Sequence, residues 1–217
     1  SMASNSCVVT LDGHEGPVLS LGFNSEVIVS GSRDHTLKVW DLETGRLLRT
    51  LKGHNGRITD LVLRDQMIVS ASTDGTLKLW DINTSQRVRS FKGHTQGVNC
   101  CSVVSTSIVS GSADASLRVW DLGSGSTISV FDPSGANDVT HCLQADEHKI
   151  ICGRRDGVLA VRTLIDGSVV RTWDAHTRAI NAVQFDETRI VSGSEDKTAK
   201  VIEFDDKSGK NKSCVIS

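Results

Sequence analysis

The 217-residue chain carries 24 basic and 26 acidic residues, a formal charge of −2, and so offers no general attraction for nucleic acid or an anionic membrane. No apolar run approaches the roughly 18 residues that a membrane span needs, and the opening Ser1-Met2-Ala3 is neither basic nor apolar enough for a secretion signal. Six cysteines (Cys7, Cys100, Cys101, Cys142, Cys152 and Cys214) form no C-x-x-C pair and no disulfide-like framework, so a reducing compartment, the cytosol or nucleus, is expected. Two prolines, many short Val/Ile/Leu runs and almost no helical period point to an all-β fold.

In chain order, residues 1–6 read as a leader or cloning remnant, 7–204 as five repeats of about forty residues, and 205–217 as a tail. Gly-His recurs at Gly13-His14, Gly53-His54 and Gly93-His94, and Trp-Asp in step at Trp40-Asp41, Trp80-Asp81 and Trp120-Asp121. The first unit predicts strands a to d at about 18–23, 27–30, 37–40 and 47–51, with Asn24-Ser25, Arg33-Asp34 and Thr44-Gly45 at the turns. The second and third units repeat it. The fourth departs from it: Gly135-Ala136 replaces Gly-His, Cys152 replaces the serine, Asp156 remains, and Arg162-Thr163 stands in the Trp-Asp place. In the fifth, Ala175-His176 opens the unit and Ile202-Glu203 takes the Trp-Asp place. Trp173-Asp174 is out of register and aligns with Leu51-Lys52.

One constellation keeps its spacing throughout. His14, Ser30, Asp34 and Trp40 are repeated as His54, Ser70, Asp74, Trp80 and as His94, Ser110, Asp114, Trp120, while His176, Ser192 and Asp196 form a set without the tryptophan. The chemistry is self-satisfying, because the indole N–H only donates, hydroxyl and imidazole do both, and the carboxylate only accepts. Ser, His and Asp together also suggest a hydrolase, but a catalytic triad occurs once per site rather than once per repeat. His35, His141 and His148 show no metal-ligand spacing, so no metal and no cofactor are expected.

This order of motifs resembles the WD-repeat family over about residues 7–204, and its short a–b turns and phrases such as Ser-Gly-Ser-Arg-Asp look most like the F-box/WD-repeat branch. The resemblance implies a β-propeller of five four-stranded blades. It implies too that each constellation is a hydrogen-bonded chain running Trp to Ser to His to Asp. Residues 8–11 form a lone first strand d, and the expected closure pairs it with strand c of the last repeat near 198–202. The tail supplies a sixth such segment, Ser213-Cys214-Val215-Ile216-Ser217, which mirrors Ser6-Cys7-Val8-Val9-Thr10. It also matches a farnesylated CaaX box, so Cys214 reads either as part of a strand or as a lipidation site, and only lipidation would bring the chain to a membrane.

The resemblance further implies a rigid, non-enzymatic disc binding proteins or peptides on the face that carries the d–a and b–c loops. Two positions per blade would present side chains there. One precedes the b–c aspartate: Arg33, Thr73, Ala113, Arg155 and Glu195. The other lies five beyond the histidine: Leu19, Thr59, Asn99 and Asn181, with Thr140 in the fourth repeat. Arg57 joins them. A scaffold or adaptor is the leading expectation, and the arginines favour acidic or phosphorylated segments. The alternative is the substrate-receptor propeller of a ubiquitin ligase. A propeller glycosidase is set aside, because the starts of the inner strands carry Leu, Thr and Asn rather than paired carboxylates.

Overall fold

A computed structural model describes residues 9–131 and 139–203, and the backbone of the strand at 213–216. Five antiparallel four-stranded sheets follow one another, each in plain meander order. The first blade comprises β1 (Val18–Phe23), β2 (Val27–Ser32), β3 (Thr36–Asp41) and β4 (Leu47–Lys52). The second comprises β5 (Ile58–Arg64), β6 (Met67–Ser72), β7 (Thr76–Asp81) and β8 (Arg87–Lys92). The third comprises β9 (Val98–Val104), β10 (Ser107–Ser112), β11 (Leu117–Asp121) and β12 (Thr127–Phe131). The fourth comprises β13 (Thr140–Ala145), β14 (Lys149–Arg154), β15 (Val158–Thr163) and β16 (Val169–Asp174). The fifth comprises β17 (Ile180–Phe185), β18 (Arg189–Ser194), β19 (Ala199–Glu203) and β20 (Ser213–Ile216).

Both faces of an inner blade are apolar, so strands b and c read as near-continuous hydrophobic runs and the core lies between blades rather than within one. Four clusters fill the four successive gaps. Val29, Leu37 and Val39 of the first blade meet Ile58, Leu61 and Trp80 of the second. Ala71, Leu77 and Phe91 meet Val98, Ile108 and Trp120. Val109, Leu117 and Phe131 meet Leu143 and Ile150, and Ile151, Leu159 and Val161 meet Ile180, Ile190 and Ile202. Glycine and alanine in strand b open room for the next blade: a Cβ on Gly153 would lie 2.7 Å from Ile180 Cγ2.

The b–c turn needs a left-handed residue directly after the aspartate. Gly75 (φ +80°) and Gly157 (φ +88°) adopt it without strain, whereas His35 (69°), Ala115 (66°) and Lys197 (69°) do so with a side chain.

The expected closure is not the one the chain adopts. The outer edge of β19 is taken by β20, with Val201 opposite Cys214 and Ala199 opposite Ile216, rather than by the N-terminal segment. Residues 7 and 8 lie outside the described residues, and 9–11 form no strand. They run instead over the c–d turn of the first blade, where a side chain on Gly45 would meet Val9 and Leu11. Covalent adjacency explains the preference: β20 reaches β19 through a nine-residue connection, 204–212, whereas the first segment would have to cross from the far end of the arc. Part of the expected tail is thus the fourth strand of the fifth sheet. Among the described residues no helix is long and apolar enough to cross a membrane.

Candidate functional site: the loop face and its central cavity

The loop face is built by one backbone device used five times. The residue before each b–c aspartate donates its amide to a carbonyl of the d–a loop of its own blade: Arg33 to Pro17, Thr73 to Arg57, Ala113 to Gly97, Arg155 to Val139 and Glu195 to Ala179, at 2.9–3.1 Å. The device needs no particular side chain, so it survives in the fourth blade.

In four blades a side-chain chain stiffens the same junction. Trp40, Trp80 and Trp120 donate from Nε1 to Ser30, Ser70 and Ser110 at 2.8–2.9 Å. Each serine hydroxyl meets Nε2 of His14, His54 or His94 at 2.8 Å, and Nδ1 of each histidine meets Asp34, Asp74 or Asp114 at 2.7–2.9 Å. The fifth blade keeps His176 between Ser192 (2.9 Å) and Asp196 (2.8 Å), with Ile202 in the tryptophan's place. Because the carboxylate can only accept, Nδ1 of each histidine donates to it, and in the first three blades, where the indole already donates to the serine, the hydroxyl is left to donate to Nε2.

Two participants escaped the sequence reading. The hydroxyl two residues after each aspartate, on Thr36, Thr76, Ser116 and Thr198, donates to its free oxygen at 2.6–2.7 Å. The amide after each histidine, on Glu15, Asn55, Thr95 and Thr177, donates to the other oxygen at 2.9–3.2 Å. Burial alone would raise Asp34, Asp74 and Asp114, but these donors outweigh it and hold the carboxylates well below their ordinary range. In Asp196 the Thr198 hydroxyl is the largest cause of the same lowering. Burial pushes His54 and His94 down, against the pull of their aspartates, and so keeps them neutral.

These sets are not hydrolytic sites. Ser30, Ser70, Ser110 and Ser192 are all at most 3 % exposed, so no acyl group can reach their hydroxyls. The described residues of the fourth blade are arranged differently. Cys152 is buried, Arg162 is buried and donates to the Gly167 carbonyl, and Asp156 turns outward to the Arg154 guanidinium.

At the centre of the loop face two adjoining cavities share Arg57, Asn99 and His141. The outer one, of about 580 Å³, adds Ala113, Arg155, Arg178 and Glu195; the inner one, of about 520 Å³, adds Leu19, Thr59 and Asn181. Eight of the eleven expected loop-face residues therefore converge: Leu19, Arg57, Thr59, Asn99, Ala113, Arg155, Asn181 and Glu195. Thr73 and Arg33 do not; Arg33 lies exposed at the b–c turn of the first blade and lines neither cavity. In the fourth blade the cavity position belongs to His141, not Thr140, which is buried and aligned with Val98 by its pairing with Arg154. Arg178 was also missed.

Thr59 and Asn99 serve structure as well. Thr59 donates to the Val98 carbonyl (2.7 Å) and Asn99 to the Thr140 carbonyl (2.9 Å), each stitching its inner strand to the next blade. A neighbouring stitch is ionic. Asp60 accepts the amides of Cys101 and Leu61 at 2.9 Å, yet burial among β5, β9 and their neighbours raises it to about 6, although the residue keeps some contact with solvent.

The carriers of this geometry recur in known proteins. The model of the WD domain, G-beta repeat, matches residues 5–41, 85–121 and 167–203, just over half of the chain, and that of the TEP-1 C-terminal beta-propeller matches 54–96. The chain belongs to the WD-repeat family. It is 28 % identical over 188 residues to mitochondrial division protein 1 of Vanderwaltozyma polyspora, covering 87 % of this chain and 18 % of that protein. Over 44 residues, 20 % of this chain and 7 % of the other, it is 41 % identical to a probable E3 ubiquitin ligase complex SCF subunit, sconB, of Arthroderma benhamiae. The crystal structure of the computationally designed protein Ika8 superposes with a TM-score of 0.75 at 35 % identity, over 89 % of this chain and 60 % of that one. The chain thus spans only a minor part of these curated relatives.

Proposed function

We propose that this chain is a non-enzymatic protein-interaction module that receives an acidic or phosphorylated segment of a partner in the central cavity of its loop face. WD-repeat propellers typically mediate contacts between proteins. The observation that carries the reading is the convergence of Arg57, Arg155 and Arg178, from three different blades, on one cavity whose only carboxylate among the lining residues is Glu195. Guanidinium forks can bind one phosphate or carboxylate through paired charge-assisted bonds. The d–a and b–c loops that carry them are pinned by the backbone bonds described above, so little ordering cost falls on the propeller. Glu195 sets an orientation, keeping the anion toward Arg57 and Arg155.

Titration of acidic, phosphorylated and neutral peptides by fluorescence anisotropy tests this. Binding of the charged peptides should fall at least tenfold in Arg57→Glu/Arg155→Glu and remain unchanged in Arg33→Glu, whose arginine lies outside the cavity. Equal affinity for all three proteins would remove the cavity from the account. Similarity to an SCF subunit supports a second reading, a substrate receptor for ubiquitin transfer, which predicts that a phosphopeptide captured in the cavity is ubiquitinated in a reconstituted ligase. Residence in the cytosol or nucleus is proposed on the thiols of Cys100, Cys101 and Cys142, which are buried and free.

A further inference from the structure

The blades interlock by a repeated knob and hole, and the two ends of the arc carry an unused half each. The first residue of each inner strand projects onto the small residue in strand b of the blade before it. A Cβ on Gly31 would lie 2.7 Å from Ile58, one on Gly111 2.8 Å from Thr140, and one on Gly153 2.7 Å from Ile180. The corresponding hole in the fifth blade is Gly193, which has nothing within 4 Å. The corresponding knob in the first blade is Val18, which is 49 % exposed where Ile58 is 1 % exposed.

The surroundings follow suit. Leu21 and Phe23 beside Val18 are 61 % and 72 % exposed, whereas Leu61, at the position of Leu21 one repeat later, is 6 % exposed. On the other flank Val191 is 44 % exposed, while its equivalents Val29, Val109 and Ile151 are fully covered. No hydrophobic cluster among the described residues joins the first blade to the fifth.

The N-terminal segment marks the same place. Between blades, strand d of one covers the c–d turn of the next: Arg89 of β8 lies over Gly125, and Phe131 of β12 over Gly167. Val9, forty residues before Arg49 and eighty before Arg89, lies over Gly45 in the same manner. Residues 9–11 thus hold the position of the outermost strand of a blade that would precede the first.

We propose that this blade is the fifth blade of a second copy of the chain, docked head to tail with Val18 seated on the second copy's Gly193. Both halves of the interlock are present on one sequence, and the contact continues an interface the molecule already makes four times, once in each gap between blades. In the docked state residues 9–11 lie along the β19 edge of the second copy, and its β20 gives up that edge to them. Such a contact is heterologous, so each copy keeps one flank for a further copy unless the ring closes.

Sedimentation velocity over a concentration series, with the full chain, tests the proposal. The mass of the wild type should rise with concentration. Gly193→Arg blocks one flank and Leu21→Glu/Phe23→Glu the other, so each variant alone should remain monomeric. Mixed, they should form a one-to-one dimer, because each brings the flank the other lacks. Hydrogen exchange in that mixture should show at least tenfold protection of the amides of residues 9–11 in the Gly193→Arg partner. A wild type that stays monomeric up to its solubility limit overturns the proposal, as does a mixture that does not associate. The same holds if the wild type is monomeric with a protected β1, which would mean that the flanks close on each other within one chain.

Discussion

Asp74 and Asp174 look alike in sequence, each following a β-rich stretch, yet their removal should have very different costs. Asp74 accepts four bonds: His54 Nδ1 at 2.8 Å, the Asn55 and Thr76 amides at 2.9 Å, and the Thr76 hydroxyl at 2.6 Å. In Asp74→Ala the hydroxyl can turn away and the amides, near the surface, regain water. The His54 N–H cannot, because its side chain has no exposed area, and with only the long contact to Thr76 Oγ1 at 3.5 Å left, this buried, poorly partnered donor costs about 1–3 kcal/mol. Adding the loss of charge-assisted bonds at the turn brings the expected total to roughly 3 kcal/mol. Asp174 is the exposed last residue of β16, and its replacement by alanine should stay within about 0.5 kcal/mol. For a chain of this size the difference corresponds to a gap of about 5–12 °C in thermal midpoint, read by calorimetry or urea titration. Asp74→Asn, which keeps one acceptor, should fall between. Equal losses in the two alanine variants would show that the carboxylate does not hold the blade as described.

Three further outcomes follow from the same packing. Asp60 titrates upward on folding, so its contribution to stability is greatest below its unfolded pKa of 3.8 and declines as pH rises through about 6. Compared with Asp60→Ser, the residue the first blade uses at that position, the wild type should lose about 3 kcal/mol between roughly pH 4 and pH 7. His54 and His94, lowered mainly by burial, act in the opposite sense below their ordinary 6.5, but they do so in both proteins and cancel from a paired urea titration. Ala115→Gly should stabilise by about 1 kcal/mol, because the side chain at φ 66° is strained where Gly75 and Gly157 are not; an unchanged or lower midpoint would contradict that. Gly153→Ala should destabilise by about 1–3 kcal/mol, since its Cβ would lie 2.6 Å from Cys142 Sγ and 2.7 Å from Ile180, and a calorimetric scan of that variant checks it.

The blades were legible in the sequence because a hydrogen-bonded chain tolerates few substitutions and keeps its spacing. From His14 to Trp120 the pattern marks the b–c turns and d–a loops of the first three blades, and His176 to Asp196 marks those of the fifth, which places Arg57 and Glu195 on one face; the retained Asp156 adds Arg155. Arg178 was missed although His176 marks its loop, because no other repeat carries an arginine two beyond its histidine; the misplaced residue of the fourth blade lies where that marker fails. In the fourth repeat no histidine sets the register, and Thr140 stood in for the residue the backbone puts in the cavity, His141. The signal that could have corrected it lies in the sequence itself: five beyond Ala136, which occupies the histidine's place, is His141. Closure was illegible for another reason. The two ends carry nearly the same strand, Ser6 to Thr10 and Ser213 to Ser217, so hydrophobic pattern cannot say which takes the edge of β19; the length of the connection decides it.

The clusters that each join only one blade to the next also govern how the chain can assemble during synthesis. Every apolar face of a middle blade waits for a neighbour that is itself one repeat away, so order can spread along the nascent polypeptide in steps of about forty residues, and none of the four hydrophobic clusters among the described residues must await the far terminus. The topology is one of local bookends: the second, third and fourth blades are each gripped from both sides, the first and fifth from one. Unravelling under heat or force should accordingly begin at the ends and run inward, leaving the stretch from β5 to β12 as the last to let go.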